Sequence, residues 1–177
     1  MDIYENLRKD HLEIIRLLSE LISLNENDDY CYTIIEKISS ELIPHVRAEE
    51  AAFYNSMRAT DADTGVVMHS FKEHMETESL LRLLQSRIKL DFGWKETAQK
   101  LKESLEHHIQ EEETKVFTQA KKLFSPEEAV QISTAFDKMK EEYKSEGALK
   151  NSMDIVINLL PARIANKIGN LESPPKV

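Results

Sequence analysis

Punctuation is scarce in this chain: 177 residues contain four glycines and five prolines. Tight hairpin turns draw heavily on glycine, so a β-rich fold with many such turns is not expected and long helices are favoured. Cys31 is the single cysteine, which excludes an intrachain disulfide framework, a thiolate zinc site and a CxxC redox pair. Positive charge is in deficit, with 23 Lys and Arg against 32 Asp and Glu and a formal net charge of −9. Without a basic stripe to grip phosphates the chain is not expected to bind nucleic acid, and its acidic surface would be repelled by anionic membranes. No apolar run approaches the roughly 20 residues of a membrane span. The start, MDIYENLRKDHLE, lacks the basic and then apolar plan of a signal peptide, so the expected location is cytoplasmic. What remains is the composition of one globular domain with a single core.

The apolar residues recur in threes and fours rather than alternating, which reads as helix. Four stretches, NENDD (25–29), TDADTG (60–65), DFG (91–93) and LFSP (123–126), separate four long periodic segments. The first carries Leu7, His11, Ile14, Leu18 and Ile22, and the second Ile35, Ile38, Leu42, His45, Glu49 and Phe53. The third carries Val67, Phe71, His74, Glu78, Leu81 and Ile88, and the fourth Leu101, Leu105, His108, Glu112 and Val116. Short connections between helices of similar length imply antiparallel neighbours. The expected fold is therefore all-α: an up-down-up-down four-helix bundle over residues 1–122. A C-terminal helical extension over 123–177 is expected to pack on the same domain. Ser125, Pro126 and Glu128 form the signature of a capping box at the start of a fifth helix. The stretch 153–169 is apolar enough to pack against the bundle or to form a homodimer, and Pro161 should kink or split it. The tail ESPPKV should fray.

The strongest internal signal is a repeat. His11 and His74 are 63 residues apart, as are His45 and His108, and Glu49 and Glu112. DHLEIIRLL thus matches EHMETESLL, and HVRAEEAAFY matches HIQEEETKVF. The chain reads as two copies of a helical hairpin, each contributing one lone histidine and one His-x-x-x-Glu pair to the apolar stripe. Buried polar groups are costly unless compensated. Residues i and i+4 lie one turn apart on the same face, so an imidazole and a carboxylate so placed can bind one ion, or the carboxylate can bridge to a second. Four imidazoles and two carboxylates without thiolate exceed the need of tetrahedral zinc and suit iron, manganese or a similar transition metal. Two ions, each with two imidazoles and sharing both carboxylates, use every ligand. With a bridging oxide or hydroxide, each octahedral metal then retains roughly one opening for a small diatomic ligand or peroxide.

These blocks resemble the hemerythrin-like, or HHE cation-binding, family. The resemblance runs through KDH (His11), HVRAEEAAFY (His45, Glu49), EHMETESLLRLL (His74) and HHIQEEETKVF (His108, Glu112), about residues 5 to 120. It implies a non-haem di-iron centre, oxo- or hydroxo-bridged, with His11, His45, His74 and His108 as terminal ligands and Glu49 and Glu112 as bridges. The oxygen-carrying members have a further histidine one turn before the third-helix ligand, where this chain has Ser70. His69 lies about 140° around the helix from His74 and substitutes poorly. The functions implied are binding or sensing of O2 or NO, or a di-iron redox enzyme acting on peroxide or NO or in iron–sulfur repair. An interaction protein with a structural or vestigial metal is the third reading.

Several further residues are given structural roles. Glu78 is read as a partner for a ligand imidazole or as a helix-edge charge, and His107, Glu50, Glu111 and Glu113 as solvated. Pro44 should bend the second helix, Tyr4 and Tyr54 belong to the core, and Trp94 closes one end of the bundle.

Overall fold

The structure is a computed structural model describing residues 1–25, 28–60, 64–89, 93–146 and 159–172. Among the described residues every regular element is helical. Helix α1 (Ile3–Ser23) starts where the Asp2 carboxylate accepts the backbone N–H of Glu5 at 2.9 Å. Helix α2 (Tyr30–Ala48) runs through a π-helical turn, Glu49–Tyr54, into α3 (Asn55–Ala59). Helix α4 spans Thr64–Lys89. Helix α5 (Trp94–Glu111) likewise runs through a π-helical turn, Glu112–Val116, into α6 (Phe117–Leu123). Helix α1 packs on α2 and α5, and α4 packs on α5 and α2, which closes the four-helix ring. The expected breaks all fall between helices, although residues 26–27, 61–63 and 90–92 lie outside the described ones. Gly93 stands immediately before α5 at φ +59°, a left-handed conformation that a side chain would disfavour.

The two π turns depart from four uninterrupted α-helical repeats. Each begins at the glutamate of a His-x-x-x-Glu pair and widens the ladder by one residue: Asn55 N–H reaches the Glu50 carbonyl and Phe117 N–H reaches that of Glu112. Pro44 lies inside α2, which continues past it to Ala48.

The interior falls into two apolar clusters. Ile14, Leu18, Leu21, Ile34, Ile38, Leu42, Leu81, Leu84, Leu101 and Leu105 fill one half of the bundle, and Trp94 closes its end as expected. Ile3, Leu7, Phe53, Tyr54, Val67, Phe117 and Ala120 fill the other. Along all four helices the break between the clusters falls at the histidines, so a polar layer is sealed on both sides by hydrocarbon.

Helix α7 (Pro126–Glu146) opens with the expected capping box: Ser125 N–H donates to Glu128 Oε2 at 2.9 Å, and Glu128 N–H to Ser125 Oγ at 3.2 Å. Its Ile132, Phe136 and Met139 are buried against α1, α2 and the first π turn. Helix α8 (Ala162–Glu172) begins one residue after Pro161, so the apolar stretch 153–169 is split there, with 153–158 outside the described residues. Leu160, Ile164 and Ile168 join the second core cluster of their own chain, and α8 packs on α3. Residues 173–177 of the tail also lie outside.

Phe136→Ala should therefore destabilise the protein by about 3–5 kcal/mol in urea unfolding, because a filled core position is emptied. Leu12→Ala, at a position 74% exposed, should stay within about 0.5 kcal/mol. A Phe136→Ala cost as small as that of Leu12→Ala would mean that α7 is not part of the core.

Candidate metal centre

All six residues singled out by the repeat meet in the polar layer, each no more than 4% exposed. Glu49 and Glu112 project from the starts of the two π turns into the middle. The imidazoles fall into two pairs, each formed within one hairpin. His11 and His45 have ring centroids 5.1 Å apart, and His74 and His108 are 4.8 Å apart. Nε2 of His11 lies 3.2 Å from Glu112 Oε2, and Nε2 of His74 lies 3.2 Å from Glu49 Oε2. His45 Nε2 is 3.8 Å from the same Glu49 oxygen. Two donor groups, His11–His45–Glu49 and Glu49–His74–His108, share Glu49.

The outer nitrogen of every one of these rings faces a carboxylate. Nδ1–H of His11 donates to Glu113 at 3.2 Å, that of His45 to Asp10 at 3.1 Å, that of His74 to Glu50 at 3.1 Å and that of His108 to Glu73 at 2.9 Å. Ionised carboxylates only accept, so each ring carries a proton on Nδ1 and turns its Nε2 inward. The 63-residue repeat governs this shell too: Asp10 matches Glu73, and Glu50 matches Glu113. Each acid holds a histidine on a neighbouring helix. Glu50 and Glu113, expected to be solvated, are corrected here, because a helix wheel places them beside the stripe but does not show the neighbouring helix. Asp10 and Glu73 were missed, although the repeat that exposed the histidines also carries them. Glu78 takes the helix-edge role, held by Arg47 at 2.6 Å and Arg82 at 3.7 Å.

The centre is electrostatically unfinished. Both oxygens of Glu49, Oε2 of Glu112 and Nε2 of His11 are buried without a hydrogen-bond partner among the described residues. The Nε2 atoms of His74 and His108 face each other at 3.2 Å, although both rings already donate outward through Nδ1. Burial and the facing Glu112 push the Glu49 carboxyl well above the usual range. Burial also acts against ionised Glu112, but contacts with Glu49 and His11 outweigh it and hold that carboxyl low. Burial opposes a charge on His11, yet Glu112 and Glu113 raise it to about 10. His45 is pushed down to about 4 by burial, which Asp10 offsets only in part. Burial would raise Asp10, but His45 and Lys140 bring it to about 2.

A cation fits this arrangement. Neighbouring donors on one ion with bonds of about 2.0–2.1 Å are about 3.0–3.4 Å apart, the spacing of the 3.2 Å contacts above. A cation would also satisfy the orphaned carboxylate oxygens and separate the opposed lone pairs.

The C-terminal extension and the aromatics contribute as well. Lys140 of α7 donates to Asp10 at 2.6 Å, so it backs the acid that holds His45, and the Phe136 ring meets that of His45 edge-on at 5.7 Å. Tyr54, expected as plain core, is buried but donates its hydroxyl to Glu112 Oε1 at 3.3 Å. Tyr4 packs edge-on against Phe53 and Phe117 as expected. His69 and His107 are exposed and stay outside the centre, and Ser70 donates to the Val66 carbonyl.

Comparison with known proteins agrees with this layout. A hemerythrin HHE cation-binding domain-containing protein of Mycobacterium kansasii, known from a crystal structure, shares the fold with a TM-score of 0.71 at 18% identity. The match covers 94% of this chain and 99% of that one. No curated protein matches the chain. The hemerythrin HHE cation-binding domain matches residues 2–120, the span that holds all six residues of the centre. The chain belongs to the hemerythrin HHE cation-binding family.

Proposed function

We propose that this chain is a non-haem di-iron protein that binds or senses a small diatomic such as O2 or NO. The observation that carries the reading is the buried set of four inward Nε2 atoms around two carboxylates, three of whose oxygens lack a hydrogen-bond partner among the described residues. His11, His45, His74 and His108 would be the terminal ligands, and Glu49 and Glu112 would bridge. When bound, two iron ions supply open coordination positions and reversible one-electron chemistry.

The protein's own part is to orient, neutralise and exclude water. Asp10, Glu50, Glu73 and Glu113 fix the tautomer and rotation of the rings. The two apolar clusters keep bulk water from the layer. Tyr54 holds a proton 3.3 Å from a Glu112 oxygen and can share it with a ligand that gains charge. A pocket of about 190 Å³ between α1 and α5, walled by Leu12, Ile15 and Ile109, reaches His11. The Arg8–Glu113 ion pair at 2.8 Å also borders it.

Protein purified from iron-replete cells without oxygen should contain about two irons per chain and, once oxidised, show a near-ultraviolet charge-transfer band. Glu49→Ala combined with Glu112→Ala should lose both. Metal-free wild type, or unchanged stability in the double variant, would contradict the proposal. Mixing the reduced protein with O2, NO and peroxide then separates the roles. A stable reversible adduct with O2 or NO is expected, whereas repeated turnover of NO or peroxide would make the chain a redox enzyme instead.

Asp10→Asn should weaken iron binding by about ten- to a hundredfold, read by chelator competition, because His45 loses the charged acceptor that fixes it. Glu78→Gln, which removes a carboxylate held by two arginines at the helix edge, should leave iron affinity unchanged. Equal effects of the two substitutions would contradict the assignment of the outer carboxylates.

A further inference from the structure

Outside the buried layer, a second set of donors gathers on the exposed side of α4 and α5. His69 and Glu73 lie one turn apart on α4, and His107 and Glu111 one turn apart on α5, so the chain carries two more His-x-x-x-Glu pairs. One donor atom each of His69, Glu73 and Glu111 lies within 4.8 Å of the others, and His107 stands farther out. Nε2 of His69 is 3.4 Å from Glu73 Oε1 and 3.4 Å from Glu111 Oε2. Nε2 of His107 is 3.6 Å from Glu111 Oε1 and 4.0 Å from Glu73 Oε1. These separations exceed the about 2.7–2.9 Å of a charge-assisted hydrogen bond. The shorter ones approach the edge of a tetrahedron around an ion with bonds of about 2.0–2.1 Å, which is about 3.3 Å.

We propose that His69, Glu73 and Glu111 form a surface site for a divalent first-row transition cation, of the zinc or ferrous type, with His107 at its edge. An imidazole nitrogen beside two carboxylate oxygens suits such borderline ions, whereas calcium and magnesium favour oxygen alone. Each carboxylate has one oxygen committed elsewhere and another turned to the spot. Glu73 Oε2 accepts from His108 Nδ1 at 2.9 Å, leaving Oε1 outward. Glu111 Oε1 accepts from Lys115 at 2.6 Å, leaving Oε2 toward His69. A groove of about 360 Å³ lined by Gly65, Val66 and Ser70 runs beside His69 and Glu111 and leaves room for water ligands. Lys115 opposes a cation, so this site is the weaker one, and it differs from the interior in being reachable from solvent. Glu73 joins the two: the same carboxylate steadies His108 inside and offers a ligand oxygen outside.

Equilibrium dialysis against zinc tests the site, using protein preloaded with iron and, separately, metal-free protein. The comparison is between wild type and a variant carrying His69→Ala and His107→Ala. In both preparations the variant should bind one zinc fewer, with its iron content unchanged. That difference is one whatever the interior binds, so a failed di-iron reading and a failed surface site give separate results. Equal zinc uptake by the two proteins, or loss of iron along with zinc, would overturn the proposal. Lys115→Met supplies a gain that misfolding cannot imitate: it frees a Glu111 oxygen and removes a competing charge, and should tighten the surface zinc severalfold. Unchanged or weaker zinc binding in that variant would contradict the site.

Discussion

Glu49 and Glu112 face each other in the driest layer of the bundle, and the rest of the molecule is arranged around that pair. Burying one carboxylate costs several kcal/mol after relaxation, and a second beside it adds repulsion. Contact with His11 relieves part of this at Glu112, yet three carboxylate oxygens keep no hydrogen-bond partner among the described residues. Lone pairs turned inward from the other imidazoles cannot help, because they repel the same negative charge. A cation would reverse the sign of each of these contacts at once.

The surrounding structure answers in order of distance. Next to the donors stand Asp10, Glu50, Glu73 and Glu113, which bind the imidazoles from behind. Beyond them are the cations that steady those acids: Lys140 for Asp10 and Arg8 for Glu113. Arg47 does the same for Glu50 at 3.1 Å. Asp10 therefore ties α7, which lies outside the 2–120 family match, to a ligand of the proposed centre. The C-terminal helices are part of the core and, through Lys140 and Phe136, part of what positions His45.

Much of this was legible in the sequence because the repeat and the apolar period coincide. His11, His45, Glu49, His74, His108 and Glu112 could be read as inward because Ile14, Leu42, Leu81 and Leu105 lie on the same stripes. Helix count, order and the Ser125–Glu128 cap followed from periodicity and punctuation. The outer acids were not read. Their function lies between helices, and a one-dimensional wheel assigns Glu50 and Glu113 to the rim whether or not a histidine waits across the gap. The π turns at Glu49 and Glu112 were also invisible, because the helices that follow them, of 5 and 7 residues, are too short to display the shifted apolar phase. Tyr54 was read as core, which it is, but its hydroxyl partner sits 58 residues away.

The central claim is that the polar layer holds two metal ions between the two hairpins. Crystals of protein purified without oxygen, measured with X-rays at the iron absorption edge, test it most directly. The account predicts two anomalous peaks about 3.5–4 Å apart, one beside His11 and His45, the other beside His74 and His108, with Glu49 and Glu112 between them. A single peak, or none within reach of Glu49 in protein that carries iron, would contradict it.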